Sequence, residues 1–179
     1  MKLLIIDGQS GRLGAQIIEG LRKAGLTQPH SIVAVGTNSL ATSGMINAVG
    51  LQNPGVEKVI SHELPRLMEC FHKPVMANIS GFSIEDYAYT CEKLDKEEQV
   101  GWLEVNVSCP NVHGGGMSFG TNPEAAAEVT RAVKAVTTKP VIIKLSPNVT
   151  DIVSIAKACE DAGADGISLI NTLLGMRIN

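Results

Sequence analysis

Six short aliphatic runs recur along this chain of 179 residues, and the segments between several of them have the composition of helices. Most of the runs are apolar on both faces, which is typical of strands that are covered on both sides. Strands that alternate with helices form parallel βαβ units, because two parallel strands need a crossover connection. The sequence therefore predicts an α/β fold with a parallel sheet of about six strands. The predicted strands are Leu3–Asp7, Ile32–Gly36, Val75–Ile79, Leu103–Val107, Val141–Leu145 and Gly166–Ile170.

Three of the connecting segments begin with residues that cap helices. Ser83 precedes a stretch whose third residue is acidic, and this pairing satisfies backbone N–H groups at a helix start. Asn122 is followed by a proline, which is favoured at the first helical position. Asp151 opens a helical stretch over 152–162, and the glycine after it is a common helix end. These signals predict a helix after three of the strands.

Charge and cysteine usage narrow the class of protein. The net charge of −3 and the pI near 5.8 argue against nucleic acid or an anionic membrane as a partner. The opening MKLLIIDG has an apolar run too short for a signal peptide or a membrane span. The four cysteines form no C-x-x-C pair and have no histidine at ligand spacing. We therefore expect no structural metal site and a reduced, cytoplasmic chain.

Polar side chains gather where the predicted strands end. The stretch EVNVSCPNVHGGG, residues 104–116, alternates like a strand and then places a thiol between two amide side chains. Ligands of parallel α/β sheets bind beyond the carboxyl ends of the strands, so the polar residues there are expected in one concave region. A carboxamide matches the edge of a cyclic imide, a thiol can move a proton, and a lysine can stabilise a developing anion. The residues in question are Asn78, Asn106, Cys109, Asn111, Lys144 and Asn171.

Each of these residues also has an ordinary structural explanation. A lone cysteine is more often a small core residue than a base. Asparagines that follow strands are commonly turn residues, and a lysine in a strand usually lies on a solvated edge. Their shared position at the ends of successive strands favours a site over these separate explanations.

Five long motifs occur in order from Gly44 to Asn179. They are GMINAVGLQNPGVE, ANISG, LEVNVSCPNVHGGGMSFGTNPE, PVIIKLSPNVTDI and GADGISLINTLLGM. In these motifs the chain resembles the dihydroorotate dehydrogenases, most closely the class 1B form, which binds FMN in a (β/α)8 barrel. The resemblance implies a partial TIM-barrel-like fold and an NAD-linked flavoenzyme. Its reaction would be the oxidation of dihydroorotate to orotate in de novo pyrimidine (UMP) biosynthesis.

The resemblance also implies roles for individual residues. Cys109 would be the base that takes the C5 proton of dihydroorotate, while a hydride leaves C6 for the flavin. The substrate-binding set would be Asn47, Ala48, Val49, Gly50, Leu51, Asn106, Asn111, Asn171 and Thr172. The FMN-binding set would be Asn78, Asn106, Lys144 and Ile170. The implied partners are an electron-transfer subunit with FAD and an iron–sulfur cluster, which passes electrons to NAD, and further copies of the chain.

The first 45 residues do not share that resemblance. They resemble the opening of a small bacterial family that begins with a Rossmann-like βαβ unit. Gly8, Gly11 and Gly14 follow the first strand, as in a dinucleotide-binding turn. The second strand ends without an acid to hold a ribose diol, so a glycine turn that allows close helix–strand packing is an equally good interpretation. We expect a hybrid chain with a Rossmann-like segment over 1–45 and a partial barrel segment over 46–179.

The resembled family has further elements that these 179 residues do not match. They include a lysine-bearing loop before the shared region, and two βα units after it whose loops hold the FMN phosphate. We therefore expect the chain alone to bind FMN weakly or not at all and to show no useful turnover of dihydroorotate. We also expect it to form dimers or aggregates through exposed sheet edges. Three functions stay open: a dihydroorotate-oxidising flavoenzyme, a nucleotide-binding module built on the glycine turn, and a hybrid without activity of its own.

Overall fold

The computed structural model describes residues 3–7, 32–36, 53–108 and 119–171. The chain divides into two compact units, residues 1–49 with 176–179 and residues 50–175. The division lies near the predicted segment boundary at 45/46, which stays a prediction.

The first unit contains a two-stranded parallel sheet. Strand β1 (Leu3–Asp7) pairs with β2 (Ile32–Gly36) along the full length of both strands. Both strands have the bounds that the sequence predicts. The connection between them, with Gly8, Gly11 and Gly14, lies outside the described residues, so the Rossmann-like βαβ unit stays a prediction.

The second unit contains a four-stranded parallel sheet whose strands lie side by side in sequence order. The strands are β3 (Val75–Ile79), β4 (Val100–Asn106), β5 (Val141–Lys144) and β6 (Gly166–Ser168). A first helix, α1, runs through three consecutive segments, Val56–Lys58, a π-helical Val59–Glu63 and Leu64–Met68. The other helices are α2 (Ile84–Asp95), α3 (Pro123–Lys134) and α4 (Ile152–Asp161), with a short 3₁₀ turn at Phe119–Thr121. The predicted parallel α/β fold is confirmed, with its six strands divided between two sheets rather than joined in one.

The predicted helix starts are confirmed in atomic detail. The Ser83 side chain accepts a hydrogen bond from the Asp86 backbone N–H at 3.1 Å, and the Asp86 carboxylate accepts one from the Ser83 N–H at 3.2 Å. Asn122 Oδ1 accepts from two backbone N–H groups of α3, and Asp151 Oδ1 does the same for α4. Gly163 follows α4 with φ of +98°, a backbone angle that glycine adopts without strain. These caps position the helices that cover one face of the sheet.

The face of the four-stranded sheet that packs against the helices is the hydrophobic core, and we call it the packed face. In β4 and β5 and directly after them, the residues of this face are at most 2% exposed: Leu103, Val105, Val107, Val141, Ile143 and Leu145. Helices α2, α3 and α4 contribute the residues that pack against this face: Tyr87, Cys91, Leu94, Ala126, Val129, Val133, Ile155 and Cys159. Burial of each aliphatic side chain contributes roughly 1.5–3 kcal/mol, so this layer supplies most of the driving force for folding.

The opposite face, which we call the open face, has a different character. Side chains alternate between the two faces of a strand, so the open face carries Met76, Asn78, Trp102, Glu104, Asn106, Ile142, Lys144 and Ser168. Met76 and Trp102 are 39% and 42% exposed. The predicted cover on both sides of the strands is therefore not seen at this face among the described residues of the sheet. Its open face is apolar toward the amino ends of the strands and polar toward their carboxyl ends.

Two carboxylates accept hydrogen bonds at the amino ends of the strands and hold the chain there in place. Asp95, at the end of α2, accepts hydrogen bonds from the Thr137 hydroxyl at 2.5 Å and from the backbone N–H of Thr138 at 2.8 Å. Asp165 accepts from the Lys134 ammonium at 2.7 Å and from the Val141 backbone N–H at 2.8 Å. Partial burial acts to raise the pKa of Asp95, but the hydrogen bonds outweigh it and lower that pKa. The hydrogen bonds from Lys134 and Val141 lower the pKa of Asp165.

An apolar groove of about 350 Å³ lies along the outer side of β6, against α4. Its apolar lining residues are Leu145, Ile152, Val153, Ala156, Ile167 and Leu169. Val153 is 59% exposed and Leu169 is 67% exposed. In the part of the chain that the structure describes, no helix is both long and apolar enough to cross a membrane.

Candidate functional site

A first polar cluster on the open face is centred on Glu104 of β4. Its Oε2 accepts a hydrogen bond from Asn78 Nδ2 at 2.6 Å and lies 3.7 Å from the Lys144 ammonium. Asn78 is the register partner of Glu104 on β3, and Lys144 reaches across from β5. The Glu104 side chain is 17% exposed and the Lys144 side chain 30%, so the pair is partly withdrawn from water. Three neighbouring strands thus contribute one residue each to a compact charged group.

A second cluster lies at the carboxyl ends of β4 and β6. Asn171 Nδ2 donates to Asn106 Oδ1 at 2.9 Å and to Ser108 Oγ at 2.8 Å. The Ser108 hydroxyl in turn donates to Asn106 Oδ1 at 3.0 Å. Asn106 and Ser108 are 8% and 5% exposed. Buried polar groups are costly unless they are hydrogen-bonded, so this closed network can exist in the interior because its members satisfy one another.

The two clusters are neighbours. Asn106 of the second cluster is the register partner of Lys144 of the first, across the β4–β5 pair. Parallel neighbours in register point to the same face of the sheet, so both clusters belong to the polar end of the open face. Together they present carboxamides, one ammonium and one carboxylate, a set that can hydrogen-bond the polar edge of a planar heterocycle.

Tyr87 of α2 supports the second cluster from the packed side of the sheet. Its buried hydroxyl donates to the Asn106 carbonyl at 2.9 Å. Its ring meets the Phe119 ring edge-to-face, with centroids 5.8 Å apart. Nearby, the Gly120 N–H donates to the Val107 carbonyl at 2.8 Å, and a Cβ at Gly120 would lie 2.9 Å from that oxygen. The chain on both sides of segment 109–118 is therefore held against the end of β4.

The structure brings together four of the predicted site residues: Asn78, Asn106, Lys144 and Asn171. Ile170 precedes Asn171 and is 50% exposed. The other predicted residues lie outside the described part of the chain. They are Asn47, Ala48, Val49, Gly50, Leu51, Cys109, Asn111 and Thr172. The proximity of Cys109 to Lys144, and the roles of all these residues, stay predictions.

Glu104, Ser108 and Tyr87 belong to the site but were not predicted from the sequence. A signal for Glu104 existed: an acid in an otherwise apolar strand, two residues before Asn106, must share the face of that asparagine. No local signal indicates Tyr87, because the contact with Asn106 joins residues on separate elements. Ser168 is a further member of the open face, and its buried hydroxyl has no hydrogen-bond partner among the described residues.

Three of the four cysteines lie within the described residues. Burial, followed by the nearby Asp95 carboxylate, raises the pKa of Cys91 to about 12. Burial also raises the pKa of Cys159. Both thiols belong to the hydrophobic core and remain protonated at neutral pH. Cys70 is exposed on the surface, beyond the end of α1. Within the same ranges, no group of three histidine, cysteine, aspartate or glutamate side chains is placed to hold a metal ion.

Comparison with known proteins agrees with the resemblance read from the motifs. The family model described as "Dihydroorotate dehydrogenase" matches residues 31–179, so its match begins before the predicted boundary at 46. "Dihydroorotate dehydrogenase B (NAD(+)), catalytic subunit" of Listeria monocytogenes serotype 4a is 57% identical over 137 residues, covering 76% of this chain and 45% of the relative. The protein of the same name from Bacillus cytotoxicus is 59% identical over 136 residues, covering 76% and 44%.

The chain therefore spans less than half the length of these curated relatives. Among solved structures, the carboxyl transferase domain of Rhizobium etli pyruvate carboxylase with pyruvate matches with a TM-score of 0.46 and 15% identity. That match covers 65% of this chain and 20% of the other, and it is too weak to support a conclusion.

Proposed function

The chain belongs to the dihydroorotate dehydrogenase family, and from this we propose that its site serves the flavin-dependent oxidation of dihydroorotate to orotate. The reaction is a step of de novo pyrimidine biosynthesis. Relatives that carry this name share up to 59% of their residues with the chain over the matched region. The activity is a proposal for these 179 residues, because they span under half of each relative.

The observation that best supports the proposal is the Asn106–Ser108–Asn171 network at the polar end of the open face. It orients two carboxamides where a ligand would approach the carboxyl ends of the strands. A dihydropyrimidine ring with imide and amide edges is a fitting ligand for carboxamides, which offer a donor and an acceptor side by side. The proposed substrate contacts are Asn47, Ala48, Val49, Gly50, Leu51, Asn106, Asn111, Asn171 and Thr172.

In the proposed reaction Cys109 acts as the base and its sulfur takes the C5 proton of dihydroorotate. Cys109 directly follows Ser108, which is buried and hydrogen-bonded to Asn106. Proton transfer needs the base and the ring at hydrogen-bond distance from each other. The bound FMN would supply the acceptor for the hydride that leaves C6.

The described residues fit a flavin in two respects. Lys144 and Asn78 offer a cation and an amide on the open face, and both contact Glu104. The Ser168 hydroxyl, opposite Lys144 in register, is buried without a partner among the described residues, so a hydrogen-bonding group can be accommodated there. We propose Asn78, Asn106, Lys144 and Ile170 as the FMN contacts. Among these contacts, the Lys144 ammonium would stabilise negative charge on the reduced flavin ring.

The relatives are named catalytic subunits, which supports a partner subunit for electron transfer. We propose that this partner carries FAD and an iron–sulfur cluster and passes electrons to NAD. We further propose that the chain works in the cytoplasm and associates with copies of itself.

The test is an FMN titration followed by flavin fluorescence, with a dihydroorotate-dependent dye-reduction assay on the same samples. The titration extends to a large excess of FMN, because the sequence predicts weak binding by this chain. If the family elements that these residues do not match only tighten FMN binding, excess FMN should give saturable quenching and turnover that needs dihydroorotate. Cys109→Ala should leave FMN binding unchanged and lower turnover by about 10²–10⁴-fold, the usual contribution of a positioned base.

Cys70→Ala is the matched control, because it removes an exposed thiol beyond the end of α1 that contacts neither polar cluster in the described residues. Its turnover should equal that of the unaltered chain. Turnover that survives Cys109→Ala would refute the role of this cysteine. A chain that shows no quenching at any FMN concentration would refute the proposed function for these 179 residues.

A further inference from the structure

Glu104 of β4 contacts residues of both neighbouring strands on the open face, and it takes no part in the proposed reaction. Its Oε2 atom alone accepts from Asn78 at 2.6 Å and approaches the Lys144 ammonium at 3.7 Å. Among the described residues, Lys144 has its ion pair with Glu104, and Asn78 has its side-chain hydrogen bond with the same carboxylate. Two proposed cofactor contacts on separate strands thus depend on one oxygen atom.

The carboxylate determines which way the Asn78 amide faces. An ionised carboxylate accepts hydrogen bonds and donates none, so the NH₂ end of the amide must turn toward it. The amide carbonyl of Asn78 then faces away from Glu104. In this orientation Asn78 presents an acceptor to a ligand, and the complementary group on the ligand is an imide or amide N–H.

The carboxylate also holds the Lys144 ammonium. The Glu104 side chain is 17% exposed and the Lys144 side chain is 30% exposed, whereas the surface pair Lys96–Glu92 has exposures of 66% and 53%. Partial withdrawal from water strengthens an ion pair and makes the loss of one partner costly. The long lysine side chain would otherwise lose its fixed position, because its many rotamers favour the free state.

We propose that Glu104 is a positioning residue, which orients the Asn78 amide and the Lys144 ammonium on the open face toward the ring of the bound flavin. The inference rests on the proposed function for the identity of the ligand. The two contacts of Glu104 are independent of it and can be measured without any ligand.

The first measurement is the rate of Lys144 acetylation by limiting acetic anhydride at one fixed pH, quantified by mass spectrometry against the exposed Lys157 of the same chain. In the unaltered chain Lys144 should react more slowly than Lys157. Glu104→Gln keeps the size of the side chain and removes its charge, and it should raise Lys144 labelling about fivefold. Glu104→Asp keeps the charge on a shorter side chain and should give an intermediate rate.

Glu92→Gln is the matched control, since it removes the partner of Lys96 from an exposed pair. Lys96 labelling should change less than about twofold, as expected for a surface ion pair. If Lys144 reacts as fast as Lys157 in the unaltered chain, or is unaffected by Glu104→Gln in a folded protein, the inference is wrong. Glu104→Asp keeps the inference testable if Glu104→Gln fails to fold, because unchanged Lys144 labelling in Glu104→Asp would also contradict it.

The second measurement is FMN affinity by fluorescence quenching in the unaltered chain, Glu104→Gln and Glu92→Gln. Glu104→Gln should weaken FMN binding about tenfold, the loss expected when a charge-assisted contact is misplaced, and Glu92→Gln should not change it. Faster Lys144 labelling with unaltered FMN affinity would overturn the positioning role. If the unaltered chain binds no FMN, the proposed function fails for this chain, while the labelling rates still decide whether Glu104 holds Lys144.

Discussion

The two ends of the four-stranded sheet use polar side chains in different ways. At the amino ends of the strands, Asp95 and Asp165 accept hydrogen bonds from backbone N–H groups and from neighbouring side chains. At the carboxyl ends, the side-chain amides of Asn78 and Asn171 donate hydrogen bonds to other side chains. The carboxylates at the amino ends hold the loops in place. The polar side chains at the carboxyl ends line the open face.

The difference shows how a parallel sheet separates stability from ligand binding. A carboxylate that accepts backbone N–H groups fixes the loop that carries them, and it has little capacity left for a ligand. Side chains that pair with each other can exchange a partner for a ligand at small cost to the backbone. The carboxyl ends of parallel strands are also where helix-covered sheets bind ligands. The following predictions test this division of roles, in order of expected effect.

Substitutions in the packed face, which forms the hydrophobic core, should cause the largest loss of stability. Ile143→Ala leaves a cavity in the fully buried centre of β5 and should lower the free energy of unfolding by about 2–5 kcal/mol. The measurement is urea denaturation followed by circular dichroism. Leu169→Ala is the control, because that side chain is 67% exposed, and it should change stability by no more than about 0.5 kcal/mol. Equal losses in the two variants would contradict the assignment of the core.

The amino end should respond in stability and not in ligand binding. Asp95→Ala removes the acceptor for Thr137 and for the backbone of Thr138 and Lys139. It should lower the free energy of unfolding by about 1–2 kcal/mol, a value reduced by contact with solvent. FMN affinity should stay within about twofold of the unaltered chain. A larger loss of affinity would show that the two ends are coupled.

A substitution at the carboxyl end should instead lower turnover more than stability. Asn171→Ala removes the donor to Asn106 and Ser108, but those two residues remain hydrogen-bonded to each other. Stability should fall by no more than about 1 kcal/mol. Dihydroorotate-dependent turnover should fall at least about tenfold, because a proposed substrate contact is lost. Turnover at the unaltered level would remove Asn171 from the site.

Acid should weaken the hydrogen bonds at the amino ends of the strands. The pKa values of Asp95 and Asp165 are lowered in the folded chain, so their hydrogen bonds contribute stability above the unfolded pKa of about 3.9. That contribution should be lost as pH falls from about 5 through 3.9 and below. Urea midpoints between pH 7 and pH 3 measure it. Asp165→Asn should lower stability at neutral pH and flatten the acid dependence, and an unchanged slope would contradict this origin.

The smallest effect concerns association through the edge at β6. The apolar groove beside α4, with Val153 and Leu169 exposed, predicts dimers or aggregates of the isolated chain. Val153→Lys places a charge in the groove and should shift light-scattering mass toward the monomer without changing the unfolding midpoint. Association that is independent of Val153→Lys would place the contact elsewhere.

Much of the fold follows from local signals that the sequence carries. The caps Ser83, Asn122 and Asp151 act on backbone groups within three residues of themselves, so their effect is readable from neighbours in the chain. Strands alternating with helices require parallel pairing, which placed Asn78, Asn106, Lys144 and Asn171 at the same end of the sheet before any coordinates were known. Long motifs identified the family, which the comparisons confirm.

Other features depend on contacts between distant parts of the chain, and the sequence alone did not determine them. The partnership of Glu104 with Asn78 and Lys144 joins three strands, and it depends on the register with which they pair. The Tyr87 hydroxyl reaches Asn106 only because of the position at which α2 packs along β4. Such contacts are set by tertiary packing, since register and helix placement decide which side chains meet, and no residue pattern within one element contains that information.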